Sequence, residues 1–512
     1  MFVKSYGSAV VGIEAITVAV EVNISAGIGL YMVGLPDNAV RESQERIRAA
    51  FENCSYKMSG RKVIVNLAPA DIRKEGSAYD LPIAVAVLAA TEQVDSAPLA
   101  RYVLMGELSL DGSLLPVRGA LPIAIQAQKE GFKGVILPKQ NAAEAAVVGS
   151  LEVYGAGHLR EVVGFLCGEH TLSRTTVDLE GRFRENAERF DVDFGDVRGL
   201  AHVKRALEIA AAGGHNVLMI GPPGSGKTML ARRMPSIMPP MTLQEALETT
   251  KIHSVAGKLG AETGLLVTRP FRSPHHLTSQ AALVGGGTSP QPGEISLAHN
   301  GILFADELPE FGRSVLEVLR QPLEEKKITV SRAKYSVEYP ANFTLVAAMN
   351  PCPCGYYNHP ARECVCSPGS VHRYMSRISG PLMDRIDMHV EVTPVSAAEL
   401  SAAAPGESSA AIRARVVRAR EVQAARFRCA QGVHTNAMMN AAMLREYCRP
   451  DAASAALLER AMERLNLSAR AYDRILKVAR TIADLAGRDT VAAADVAEAI
   501  NYRSLDRGNW GR

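Results

Sequence analysis

Residues 217–234, VLMIGPPGSGKTMLARRM, constrain the fold more than any other stretch of this 512-residue chain. Four apolar residues predict a buried strand, a glycine-rich turn follows, and a helical run closes the unit. The turn fits G-x-x-x-x-G-K-[ST] through Gly221, Gly226, Lys227 and Thr228, with Gly224 inside it. Glycines let successive backbone N–H groups wrap a phosphate chain. The lysine then meets the β- and γ-phosphates, and the threonine hydroxyl ligates magnesium. The required strand and helix flank the turn, so this part of the chain is expected to be α/β, with ATP and Mg2+ as its ligands.

Two further strands supply what such a site needs. GILFADE (301–307) is apolar and ends in two carboxylates. Asp306 is expected to hold magnesium, directly or through water, and Glu307 to polarise the attacking water. FTLVAAMN (343–350) ends in Asn350, a polar tip that can orient the same water, although an asparagine ending a strand is as readily a turn former.

The rest of the chain divides around this core. Residues 1–170 alternate β-rich runs (IEAITVAVEVNI, KVIVNLAP, RYVLMGELSL, GVILP) with helical ones (AVRESQERIRAAFENC, LPIAVAVLAATEQ), a mixed α/β domain. Residues 171–196 are polar and read as a linker, residues 197–395 as the nucleotide-binding core, and 396–409 as a second linker. Residues 410–512 are rich in Ala and Arg with helical periodicity and read as a helical bundle. Between the P-loop helix and the DE strand, residues 251–296 form an insertion holding RPFRSPHHLTSQAALVGGG. Residues 326–340, KKITVSRAKYSVEYP, read as a β-hairpin.

Composition excludes several classes. Hydrophobic residues at 47% and charged residues at 22% are those of a globular chain, and three or so domains are expected at this length. A net charge of +3 excludes a polybasic nucleic-acid coat. No secretory h-region and no membrane-length apolar run are evident, so a cytoplasmic protein without membrane contact is expected. Of the eight cysteines, four crowd into NPCPCGYYNHPARECVCSPG (350–369), as C-x-C, nine residues, C-x-C. Cys352, Cys354, Cys364 and Cys366 can close a tetrahedral zinc site, although C-x-C is tighter than the usual C-x-x-C. Free thiols, His359 as a substitute ligand, and an iron–sulfur cluster are the other readings.

The P-loop, the DE-ended and Asn-ended strands and the helical C-terminal region together resemble an AAA+ ATPase with a helical lid. SGPLMDRIDMHVEV (379–392) is similar to the arginine-finger segment of the magnesium chelatase and minichromosome maintenance branch. The resemblance implies that Arg385 is the finger reaching a neighbouring subunit's γ-phosphate, a cation worth about 10³–10⁵ in rate. The plain alternative is an ion pair with Asp384 or Asp387. LSARAYDRILKVARTIADL (467–485) resembles the lid helix of that branch. Arg470 would be the second sensor, with Arg474 one turn on as a competitor.

In hexameric relatives the two insertions line a central pore. Arg269, Arg272, His275 and His276 of the first, and Arg332 and Lys334 near the hairpin tip, are therefore DNA-contact candidates. The histidine pair is equally read as ordinary loop hydrogen bonding.

KEGSAYD (74–80) and LPVRGALPIAIQAQKEGFKGVILPKQN (115–141) resemble the nucleophile and lysine segments of Lon-type protease domains, a ribosomal S5 domain 2-like α+β fold. Ala78 falls at the nucleophile and Ile123 at the lysine, with Ser77 one register off. A Ser–Lys dyad needs both groups, so no proteolysis is expected. Together with residues 25–56, FRSPHHLTS and DELPEF, these motifs resemble the ComM/YifB family of magnesium chelatase-like ATPases across the whole chain. That resemblance implies a homohexameric ATP-driven motor that migrates branched DNA during natural transformation and homologous recombination, alongside recombination proteins. A chelatase-type motor acting on a protein partner is the alternative. With aromatics at 5% and one Trp, Trp510, DNA grip by base stacking is not expected to dominate, and binding should depend strongly on salt.

Overall fold

A computed structural model gives the architecture. It describes every residue except 187–189, 261–262, 288–289, 333–334, 358, 360, 395–405, 466 and 504–512, and only the backbone of 182, 184–186, 332 and 335. Lys334, the side chain of Arg332, Trp510 and most of the 396–409 linker therefore lie outside the described residues. The chain forms two compact units.

The first unit comprises Met1–Glu185, Leu243–Val267 and Pro290–Pro292. Its centre is a seven-stranded mixed sheet. The order is Leu30–Val33, Lys62–Ala68, Glu14–Ser25, Phe2–Val11, Tyr102–Leu104, Gly134–Pro138 and Glu152–Ala156. The long strand Glu14–Ser25 alternates, burying Val18, Val20 and Val22 on one face, as a half-covered antiparallel strand should. Helix Asp80–Ala90 is apolar on all sides, and every one of its residues is buried. Its first residue, Asp80, is a buried carboxylate held bidentate by Arg46 at 2.7 and 2.9 Å and by the Leu108 N–H at 3.1 Å. The strands Phe2–Val11 and Glu152–Ala156 are additions to the strands read from the sequence.

The unit also takes a piece of chain that sequence reading gave to the nucleotide core. Helix Leu243–Val255 belongs here, and its Ser254 donates through Oγ to the buried Glu144 carboxylate while accepting from the Gly119 N–H at 3.3 Å. Lys251 reaches Glu14 at 3.1 Å. The helix ends in four consecutive buried residues, Ile252, His253, Ser254 and Val255, so its last turn is covered on all sides by partners not legible from local sequence.

The second unit comprises Asn186–Thr242, Thr268–Ser289 and Gly293–Arg512. Five strands, all parallel, form its sheet in the order Phe271–Arg272, Ile302–Ala305, Thr344–Met349, Val217–Ile220, Met388–Glu391. Numbered along the chain, the P-loop strand is first, yet it lies between the fourth and fifth. The central strands are buried on both faces, which is why they read as unbroken apolar runs. The tips carrying the P-loop, Asp306 and Asn350 therefore emerge at the same sheet edge, outside the carboxyl ends of the strands. This is the α/β AAA+ core.

The helical part packs on the same hydrophobic core: Val416 and Ala419 of Ser409–Arg426, and Ile475, Ala479 and Ile482 of Ala469–Leu485, join Val203, Val217 and Val346. The 171–196 stretch is not only linker. It contains helix Leu179–Asn186, and Asp193 accepts from the Ser409 N–H at 3.1 and 3.2 Å, where helix Ser409–Arg426 starts. The hairpin expected over 326–340 is present, pairing Lys327–Arg332 with Tyr335–Pro340. Among the described residues no helix is long and apolar enough to cross a membrane.

Candidate active site

The P-loop turns through Gly224 and Gly226 at φ of 77° and 90°, angles that cost a residue with a β-carbon. Helix Lys227–Arg233 starts directly after, so its free N–H groups face the loop. The Lys227 ammonium is mostly buried and donates to the carbonyls of Gly221 at 2.7 Å and Pro222 at 2.9 Å. Burial pushes its pKa down, and the carboxylates of Asp306 and Glu307 oppose that. Thr228 donates through Oγ1 to Asp306 Oδ2 at 2.7 Å. Hydroxyl and carboxylate oxygens thus converge where magnesium, which takes hard oxygen ligands, would be held. Lys227 also reaches Asn350 Oδ1 at 3.4 Å, so the expected sensor tip is at the pocket.

Glu307 sits at φ 52°, left-handed backbone for a residue with a side chain, two residues past the end of its strand. That strained turn aims the carboxylate outward, where it is half exposed. Its Oε2 lies 3.3 Å from Nδ1 of His276. The His275 ring lies tilted against that of His276 with centroids 4.1 Å apart, and His275 Nδ1 accepts from the Leu277 N–H at 3.2 Å. The histidine pair is therefore part of the catalytic edge as well as of the inserted loop.

The two arginines of that loop are partnered within the chain. Arg269 donates to the carbonyls of Pro239 and Asn300, each at 2.7 Å. Arg272 forms a bidentate pair with Glu294 at 2.6 and 2.7 Å.

Arg385 is largely buried. It pairs with Glu324 at 2.5 Å and donates to the Pro381 carbonyl at 2.6 Å. The sequence alternatives Asp384 and Asp387 pair elsewhere. Asp384 lies 3.8 Å from Arg470, and Asp387 is engaged by Arg474. This separates the two sensor arginines: Arg470 is 64% exposed, and Arg474 is bound to a fully buried carboxylate. Burial alone would raise the Asp387 carboxyl. Arg474, His215 and the Asn216 N–H reverse that and hold it well below the usual range. His215, itself fully buried, is pushed down by desolvation.

Sequence reading missed Asn216, the hinge pin of this arrangement. Its Nδ2 donates to the Arg385 carbonyl at 3.2 Å and its Oδ1 accepts from the Leu345 N–H at 2.9 Å. Its own N–H donates to Asp387 Oδ2 at 2.8 Å. One side chain thus links the finger segment to the sensor strand at the root of the P-loop strand. The available signal was a polar pair, His215–Asn216, opening an otherwise apolar strand.

The four loop cysteines come together. Cys352 Sγ is 3.3 Å from Cys354 and 3.7 Å from Cys364, Cys354 is 3.6 Å from Cys364, and all four sulfurs lie within 4.8 Å of one another. His359 is outside the cluster, with Nδ1 accepting from the Ala361 N–H at 3.0 Å.

In the first unit, Ile123 is buried and apolar on helix Ala120–Lys129, and Ala78 lies in the turn Ser77–Tyr79. Ser77 donates to Glu107, a carboxylate rather than an activating amine. The geometry contains no Ser–Lys dyad at these positions.

Similarity to known proteins decides the family. The family described as magnesium chelatase, subunit ChlI, matches residues 193–400, and its C-terminal counterpart matches 406–503. A third description, subunit ChlI of Mg-chelatase, matches residues 20–141. Competence protein ComM of Haemophilus influenzae is 44% identical over 505 residues, covering 98% of this chain and 97% of that one. The chain belongs to the ComM/YifB family. YifB of Escherichia coli is 45% identical over 98% of this chain and 96% of its own. Lon protease 2 of Bacillus subtilis is 31% identical over 159 residues, 28% of this chain and 27% of that protein. This ComM/YifB chain accordingly carries a magnesium chelatase-type AAA+ ATPase, with ATP and Mg2+ as its cofactors.

Proposed function

We propose that this ATPase is a DNA motor that drives branch migration at three- or four-way junctions during transformation and recombination, working as a ring of identical subunits. The observation that carries the reading is similarity to a protein named for competence over essentially the whole chain, with all the parts of the hydrolytic site present. Lys227, Thr228 and Asp306 form the phosphate and magnesium cradle, Glu307 and Asn350 flank the position of the attacking water, and Arg470 supplies a cation from the lid. Arg385 acts in a neighbouring subunit's pocket once it leaves Glu324.

DNA grip falls to the insertion carrying His275 and His276 and to the hairpin tip with Arg332 and Lys334. Arg269 and Arg272 hold that insertion in shape instead. Phosphate-dominated grip makes binding fall steeply with salt and depend little on sequence. A cytoplasmic setting follows from a DNA substrate.

The test is unwinding of labelled three- and four-strand junctions by wild type, Lys227→Ala, Glu307→Gln and Arg385→Ala. Branch migration by wild type alone is expected. A second reading, a chelatase-type motor on a protein partner, is favoured by the three family descriptions, all of magnesium chelatase subunits. ATP hydrolysis with no effect on any junction would select it.

A further inference from the structure

We propose that Cys352, Cys354, Cys364 and Cys366 bind one zinc ion, and that the metal-closed loop is a brace for the nucleotide pocket. The spacing fits the ion. A Zn–S bond of about 2.3 Å makes tetrahedral S···S edges of about 3.8 Å. Three of the pairs stand at 3.3, 3.6 and 3.7 Å. Four thiolates are the soft donor set that selects zinc over the hard magnesium of the adjoining site. Cys352 is fully buried and the other three are partly so, which gives a closed structural centre. On binding, the thiols release their protons to solvent as Zn–S bonds form, and no electron changes hands.

The loop approaches the pocket at two points. It begins two residues after Asn350, whose Oδ1 lies 3.4 Å from the Lys227 ammonium. Between the first two cysteines and the second two, Gly355 turns at φ 84° directly against the P-loop. A β-carbon there would come within 2.5 Å of Pro223 Cδ. The cysteine knot thus backs the P-loop on one side and sets the sensor asparagine on the other. Among the described residues no other group of His, Cys, Asp and Glu converges in this way. The inference rests on the nucleotide pocket and is independent of the DNA reading.

Elemental analysis of the full-length protein, purified without added metal, is expected to give about one zinc per chain. Cys366→Ser should lose it, and its affinity for a fluorescent ATP analogue should fall about tenfold or more, since small displacements of binding groups are costly. Cys366→His, which leaves a Cys₃His set, should keep both metal and affinity. Should the serine variant not fold, wild type treated with a mercurial serves instead. Zinc release, read with a chromophoric chelator, should parallel loss of nucleotide binding, and thiol plus Zn2+ should restore it. A wild-type protein without zinc, or one carrying iron and sulfide, overturns the site. Zinc loss with unchanged nucleotide affinity overturns the brace.

Discussion

His276 Nδ1 stands 3.3 Å from Glu307 Oε2, so the carboxylate proposed to activate water is met by a side chain from the inserted loop. A carboxylate held this way is partly withdrawn from its water. His276→Ala is therefore expected to raise ATP hydrolysis in the absence of DNA severalfold and to blunt its response to added junctions. A coupled ATPase assay with and without DNA reads both. Equal rates for variant and wild type under both conditions would remove the contact from control of hydrolysis.

Lys227 and Glu307 should separate binding from chemistry. Lys227→Ala removes the cation under the β- and γ-phosphates and is expected to abolish nucleotide binding at millimolar ATP. Glu307→Gln keeps the cradle and loses the base. It should bind ATP as wild type does while turnover falls by about 10²-fold or more. Equilibrium binding and single-turnover hydrolysis on the same preparations distinguish the two.

Arg385 gives a test of action between subunits. Alone, Arg385→Ala should cost about 10³-fold or more in turnover with little change in ATP affinity. Mixed with Lys227→Ala subunits, part of the activity should return, because an intact pocket of one variant then meets an intact finger of the other. No recovery at any mixing ratio would argue for a structural role through Glu324.

Arg470 and Arg474 share a helix and should part company on mutation. Arg470→Ala is expected to leave the melting temperature unchanged and to lower turnover. Arg474→Ala breaks a buried ion pair and should unfold at a clearly lower temperature, a loss of about 3–5 kcal/mol. Calorimetry alongside the ATPase assay assigns the roles.

The same buried pair sets an acid limit. With its folded pKa depressed, Asp387 contributes stability above the unfolded carboxylate range, about pH 4, and that contribution is lost as pH falls through the folded value. His215, depressed by burial, adds to the loss, because the unfolded chain takes up its proton below about pH 6.5. The stability gap between wild type and Asp387→Asn should be widest near neutrality and begin to narrow only below about pH 4. Denaturant titrations at stepped pH measure it.

What was legible in the sequence was local chemistry. The P-loop, the DE strand and the cysteine spacing each carry their meaning within a few residues; Thr228 meets Asp306 at 2.7 Å, and the four loop sulfurs lie within 4.8 Å of one another. The lid helix was legible from its periodicity, and the observed Ala469–Leu485 agrees closely. Pairings between distant segments were not. Glu294 as the partner of Arg272, and Glu324 as the partner of Arg385, come from surface-like sequences with nothing to mark them. Asn216 looked like a strand's leading residue because its three partners come from segments about 130 and 170 residues away in sequence. Ser77 was visible as a misplaced nucleophile, but its bond to Glu107 was not.

Ser254 and Glu144 meet although more than a hundred residues separate them, and one of them comes from inside the stretch of chain that builds the ATPase. No single cut in the chain therefore separates the two compact units. A fragment ending at residue 185 would strip a buried carboxylate of its hydroxyl donor and bare the face that helix Leu243–Val255 covers. The excised motor would carry that helix with nothing to rest on. The Lon-like portion is thus tied to the engine by shared chain, because a segment lying within the motor's sequence completes its packing.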